Sequence, residues 1–264
     1  MSKMTKHAPG SRCWVDLGTP DVDTAAGFYG SLFGWEIPEL ENSAEFSGYR
    51  RAKKDGADVA GAMPLMQEGQ PSAWTSYIAV EDADATAAAV REAGGSVIAE
   101  PMDVMELGRM AVFADPEGAV FGIWQAGTFA GIELLDEPGA PCWTELNSRD
   151  PEAAKRFYGA VFGWGTVGTA MGDEGTYTMW TAGEANVAGL MDMRGRVPDE
   201  VPPSWLAYFA VEDTDASLET ITDNGGEVSF GPIDTPAGRF AVITDPWGAV
   251  FALVDDVGGD AAAA

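Results

Sequence analysis

Histidine, cysteine and positive charge are all scarce in this chain of 264 residues, and each scarcity excludes something. The one histidine is His7, near the start, so no cluster of imidazoles can assemble anywhere in the sequence. With two cysteines, Cys13 and Cys142, there is no disulfide framework, and the usage fits reduced thiols in a cytoplasmic protein. Neither cysteine has a histidine partner, which argues against thiol nucleophilic chemistry. Fifteen Lys and Arg stand against 42 Asp and Glu, a net charge of −27. Phosphate backbones and anionic membrane surfaces would be repelled, so neither nucleic acid nor membrane is expected as a partner. No apolar run approaches the roughly 20 residues that span a bilayer. The opening MSKMTKHAPGSR lacks the apolar core of a secretory signal and reads, like the closing GGDAAAA, as a loose tail. Phosphate loops, dinucleotide glycine motifs and haem signatures are also missing, so no cofactor is expected.

What the chain does contain, it contains twice. CWVDLGTPDVDTAAGFYGSLFGW at Cys13–Trp35 returns as CWTELNSRDPEAAKRFYGAVFGW at Cys142–Trp164. WTSYIAVEDAD at Trp74 returns as WLAYFAVEDTD at Trp205, and FADPEGAVFGIWQ at Phe113 as ITDPWGAVFALVD at Ile243. The repeat is far longer than a solenoid unit of roughly 20–50 residues, so it marks a duplicated domain. Domains at 11–126 and 142–256 are expected, joined by a Gly- and Pro-containing linker at 127–141, each long enough to bury its own core.

Within each repeat a short strand precedes a helix. Ala25, Phe28, Tyr29 and Leu32 follow helical spacing, as do Ala154, Phe157, Tyr158 and Val161, with Gly34 and Gly163 as left-handed stops. Strand-like runs follow at Tyr49–Ala52, Val59–Met66 and Ser76–Val80, then an acidic helix start at Glu81–Asp84. Their counterparts are Tyr177–Thr181, Val187–Met193 and the helix from Glu212 to Gly225. Asp115-Pro116-Glu117-Gly118 and Asp245-Pro246-Trp247-Gly248 are turns between the last strands. Strand–helix–strands, twice per repeat, predicts an α+β fold with helices on one face of curved sheets.

The order D-x-x-x-A-x-x-F-Y-x-x-x-F-G-W, V-x-D and D-P-x-G-x-x-F, all duplicated, resembles the vicinal oxygen chelate superfamily of glyoxalases, bleomycin-resistance proteins and extradiol dioxygenases. More narrowly it resembles a two-domain, hydroxylase-like actinobacterial branch, which includes a mycobacterial antigen-like protein and proteins beside aromatic polyketide pathways. The resemblance implies two βαβββ modules per domain, forming a half-open cup around a small-molecule cavity. It also implies a metal held from three strands. Carried onto this chain, those ligand positions are Trp14, Thr75 and Gly122, then Trp143, Leu206 and Ala252. None is an ordinary ligand for a divalent ion, so no metal is expected.

Alternation along the strands sets the expected cup lining. Trp14 and Asp16, Thr75 and Tyr77, and Val120, Gly122 and Trp124 face inward in the first domain. In the second the set is Trp143 and Glu145, Leu206 and Tyr208, and Val250, Ala252 and Val254. Such aromatic walls suit a small hydrophobic or aromatic metabolite, with Gly122 widening the space. Lacking a second Trp124 and a second Thr75, the C-terminal cup is expected to be smaller, drier or less active. Asp16 and its twin Glu145 are candidate general bases, and Tyr77 and Tyr208 candidate hydrogen-bond donors to substrate oxygen. A structural alternative pairs those acids with Arg109 and Arg239. Three functions stay open: a metal-free, hydroxylase-like or acid/base tailoring enzyme of secondary metabolism, a non-catalytic binding or resistance protein, and a glyoxalase-type detoxifier. The assembly is expected to be a monomer with an intrachain pseudo-dimer, or a homodimer.

Overall fold

The structure is a computed structural model that describes residues 3–39, 47–170 and 176–255. The closing GGDAAAA therefore lies outside the described residues.

Each repeat builds one sheet. The first comprises β1 (Arg12–Thr19), β2 (Arg50–Lys54), β3 (Ala57–Pro64), β4 (Ala73–Ala79), β5 (Ser96–Val104), β6 (Gly108–Ala114) and β7 (Val120–Ala126), in the order β2-β3-β1-β4-β7-β6-β5. The second comprises β8 (Pro141–Ser148), β9 (Gly165–Ala170), β10 (Thr176–Ala182), β11 (Ala185–Asp192), β12 (Ser204–Ala210), β13 (Glu227–Thr235), β14 (Gly238–Thr244) and β15 (Val250–Val254). Its order, β13-β14-β15-β12-β8-β11-β10-β9, is the same pattern with β9 added at one edge. Neither sheet closes on itself, and the fold is α+β with tandem vicinal-oxygen-chelate architecture. Spacing alone had not flagged β5, β9 or β13.

Among the described residues four helices complete the repeats: α1 (Val22–Phe33), α2 (Ala83–Glu92), α3 (Pro151–Phe162) and α4 (Thr214–Asp223). Each begins at an aspartate whose carboxylate accepts a backbone N–H of the first turn: Asp21, Asp82, Asp150 and Asp213. Gly34 and Gly163 end α1 and α3 at φ +68 and +69, a conformation that side chains resist.

The repeats do not keep their cores to themselves, contrary to the expectation from length. One core joins Val15, Phe28, Tyr29 and Trp74 of the first repeat to Phe209, Ile243 and Phe251 of the second. The other joins Ile78, Phe113 and Phe121 to Phe157, Tyr158 and Trp205. The physical reason is coverage: two short helices cannot shield a whole sheet face, so α1 packs beside α4, α2 beside α3, and β4 lies against β12. At that crossing Thr144 Oγ1 donates to Ser76 Oγ at 2.9 Å.

The N-terminal segment is not a loose tail. Met4 N–H bonds Glu133 O at 2.9 Å, Gly10 N–H bonds Ala79 O at 2.8 Å, and His7 is buried with Nε2 2.9 Å from Ile132 O. Burial lowers the His7 pKa.

Candidate functional site

With the helices on one face of each sheet, the other face forms the cup. Its centre is a carboxylate on the first strand of each repeat. In the second sheet Glu145 lies between Leu206 on β12 and Gly189 on β11, by strand register. Tyr177 donates to Glu145 Oε2 at 2.6 Å and Tyr208 to Oε1 at 3.0 Å. Trp143 Nε1 in turn bonds the Tyr177 hydroxyl at 3.1 Å. The first sheet repeats the device. Asp16 Oδ1 accepts from Trp14 Nε1 and from the Tyr49 hydroxyl, both at 2.7 Å, and Tyr77 is a third donor.

A missing side chain opposite each acid makes the cluster possible. A Cβ on Gly61 would lie 2.0 Å from Asp16 Oδ1 and 2.1 Å from the Tyr49 hydroxyl. One on Gly189 would lie 1.9 Å from the Tyr177 hydroxyl. Tyr49, Tyr177, Gly61 and Gly189 went unread as site residues in the sequence. Their signal was present: Val59-Ala60-Gly61 and Val187-Ala188-Gly189 recur, as do the two tyrosines before them.

Burial raises the pKa of Asp16 and of Glu145, and the surrounding donors offset only part of that shift. The four tyrosines move upward too, first through burial and then through the adjacent carboxylate. They therefore stay protonated and serve as donors. Arg109 and Arg239 take no part: Arg109 pairs with Asp84 and Asp103, and Arg239 with Asp215 and Asp234. The alternative that paired the acids with these arginines is overturned, because the guanidiniums find surface carboxylates on their own hairpins and helices. Both cysteines are buried free thiols; burial raises Cys13 and pushes Cys142 up to about 12, so neither is a thiolate nucleophile.

The two cups differ in cover: Trp143 and Tyr208 are more exposed than Trp14 and Tyr77, while Leu206 is more buried than Thr75. In the first, Trp14, Tyr77 and Trp124 are 5%, 4% and 9% exposed, because Phe129 of the connecting segment lies across them. Its ring meets Trp14 edge-on at 5.0 Å and Trp124 at 6.2 Å, and Trp124 Nε1 bonds Phe129 O at 2.9 Å. Gly122 does not widen a cavity here. The Tyr77 ring fills the space, where a Cβ on Gly122 would lie 2.3 Å from it. Thr75 is partly exposed beside Asp16, and Val120 stands 40% exposed at the start of β7 rather than lining the floor. In the second cup Leu206 and Ala252 are buried, but Trp143, Tyr208 and Phe240 are only partly so. Tyr208 and Phe240 stack at 6.3 Å, and Phe230 beyond them is 53% exposed. Arg12 covers one side of Trp143, 5.6 Å from the ring. Open cavities of about 200 and 370 Å³ lie elsewhere, at the end of the β5–β6 hairpin and beside α3.

Sequence reasoning also passed over Asn147, two residues beyond Glu145. It is 8% exposed, and its Oδ1 has no hydrogen-bond partner among the described residues. The equivalent position in the first repeat is Gly18.

Two open, curved sheets packed back to back, each with a carboxylate on its first strand, define a vicinal-oxygen-chelate protein with a duplicated cup. The chain belongs to the glyoxalase/bleomycin resistance protein/dioxygenase superfamily, whose model matches residues 13–123 and again 141–253. It is 41% identical to the anthracycline biosynthesis protein DnrV of Streptomyces peucetius, over 96% of this chain and 95% of that one. It is 38% identical to the CFP32 protein of Mycobacterium bovis, over 96% and 98%. Among solved structures, a Mn(II)-bound glyoxalase from Novosphingobium aromaticivorans shares the fold, with TM-score 0.64 and 19% identity over 98% of this chain and 84% of that one. The 2,3-dioxygenase LapB of Pseudomonas sp. KL28 does so at TM-score 0.63 and 15% identity, over 96% and 94%.

The residues here do not fit the metal that the family's name implies. The three ligand positions carry indole, hydroxyl and hydrogen in one cup, and indole, isobutyl and methyl in the other. Asp16 and Glu145, the nearest carboxylates on those strands, are already held by tyrosine and indole donors. No group of three His, Cys, Asp or Glu side chains that could hold an ion occurs among the described residues. Nor is any helix there long and apolar enough to cross a membrane.

Proposed function

We propose that the chain binds a hydrophobic, planar aromatic small molecule in the second cup and acts on it by metal-independent acid–base chemistry, as a tailoring enzyme of secondary metabolism. The observation that carries this reading is Glu145: a carboxylate of raised pKa, held by two tyrosines, on a sheet face whose Trp143, Tyr208 and Phe240 rings are partly exposed. Aromatic faces favour a flat ligand. The DnrV relative, named for anthracycline biosynthesis, agrees with a fused-ring ligand.

The chemistry follows from the bonding. When a ligand carbonyl reaches Tyr208, its hydroxyl turns from Glu145 Oε1 to the ligand oxygen. That polarises the carbonyl and removes one donor from Glu145, which makes the carboxylate a stronger base at the moment a proton is to be taken. Asp16 and Tyr77 form the equivalent pair in the first cup, under Phe129. Binding without turnover is the second reading, and one observation favours it: at rest both Glu145 oxygens already accept a hydrogen bond.

Proton exchange separates the two. In D₂O with α-tetralone, an enolisable aryl ketone, the wild-type chain should accelerate α-deuteration, read by mass spectrometry. E145Q should lose the acceleration while ligand quenching of tryptophan fluorescence persists. Quenching without acceleration in the wild type selects the binding reading, and no quenching at all removes both.

A further inference from the structure

Within the second cup, Trp143, Glu145 and Asn147 follow at alternate positions of β8, on one face of the sheet. Register places Asn147 between Met191 of β11 and Ser204 of β12. Met191 and Ser204 are both only partly buried, so Asn147 stands at the rim of the cup, next to Glu145. Its side-chain carbonyl accepts no hydrogen bond from the described residues, although the residue is more than nine-tenths buried. A buried acceptor left unpaired costs stability, and native chains rarely keep one without a use. In the first cup the same position is Gly18, which has no side chain at all. The acceptor is thus confined to the cup whose aromatic rings reach solvent.

We infer that Asn147 is a specificity residue that accepts a hydrogen bond from a hydroxyl of the aromatic ligand. Two residues along a strand separate the Glu145 and Asn147 positions by about 7 Å. One aromatic ligand can therefore meet Glu145 with one polar group and Asn147 with a hydroxyl. Trp143, one step further along the same face, supplies the stacking surface. The inference rests on the second cup being the binding site.

The test uses the full chain and three probes: naphthalene, α-naphthol, and a naphthalenediol with one hydroxyl on each ring. Affinities are read by tryptophan quenching. One neutral hydrogen bond corresponds to about fivefold in affinity, so wild type should prefer the diol to the naphthol by about that factor. In Asn147→Leu the preference should fall to near one, and Asn147→Ser, which keeps an acceptor oxygen, should retain part of it. Because the replaced group is unpaired, Asn147→Leu should also melt a few degrees higher than wild type. A retained diol preference in the leucine variant, or a lowered melting temperature, overturns the assignment. If none of the probes quenches the wild-type chain, the binding reading itself falls. A naphthol bound as well as the diol by wild type defeats only the role of Asn147.

Discussion

The Tyr29 hydroxyl donates a 2.8 Å hydrogen bond to Asp245 Oδ2, across the boundary between the repeats. Tyr158 and Asp115 repeat the bond in the other direction at 3.1 Å. Each aspartate opens an Asp-Pro-x-Gly turn and caps its backbone, since Ala249 and Ala119 N–H bond Asp245 and Asp115 at 2.8 and 2.9 Å. Each tyrosine also accepts an indole N–H from its own repeat, Trp74 at 3.1 Å and Trp205 at 2.8 Å. The sequence signatures of one repeat are therefore completed by those of the other.

Removing one of these hydroxyls should cost more than a surface change would. Tyr29→Phe leaves Asp245 Oδ2 buried without its donor, a loss of about 1–3 kcal/mol. In a chain of this size that corresponds to roughly 2–4 °C per kcal/mol in thermal melting. A cycle with Asp245→Asn should show coupling; additive effects would mean the bond contributes nothing.

Gly189 should tolerate no side chain while Tyr177 keeps its hydroxyl. Gly189→Ala drives a methyl into the Tyr177–Glu145 bond and should destabilise by about 1–3 kcal/mol. Adding Tyr177→Phe removes the nearest clashing atom, so the double variant should lose less than the sum of the singles. Thermal melting of all four proteins decides it, and full additivity would show that the glycine serves another purpose.

The buried acids also set a pH dependence. Burial raises Asp16 and Glu145 above their ordinary values of 3.8 and 4.5, so the folded chain holds their protons more tightly than the unfolded chain. The stability they contribute is therefore fully present below those ordinary values and is lost as pH rises through the folded values. Urea unfolding of wild type against Asp16→Asn/Glu145→Gln should show the wild type losing stability relative to the variant across that window. A difference that stays flat with pH would mean that the carboxylates titrate normally.

Opening the first cup should reveal a second site. Phe129→Ala removes the ring that lies against Trp14 and Trp124. Acrylamide should then quench the tryptophans more strongly, and calorimetric titration with the naphthalenediol should move from one equivalent towards two. Unchanged quenching and stoichiometry would show that the first cup is solid without its lid.

The duplication, the helical spacing and the glycine helix stops were legible in the residues themselves. They depend on local physics: the spacing of Phe28, Tyr29 and Leu32 makes an apolar helix face, Gly34 and Gly163 stop a helix, and alternation puts Trp14 with Asp16 and Trp143 with Glu145. Three things were decided only by packing. Each core draws on both repeats, because a sheet face needs more cover than its own two helices provide. Trp14 and Trp124 of the first cup are covered by Phe129, whose place depends on the path of a segment that no local pattern dictates. Likewise, whether Tyr49 and Tyr177 reach the carboxylate strand depends on which strands become neighbours. That choice is made by long-range pairing, and no short stretch of sequence contains it.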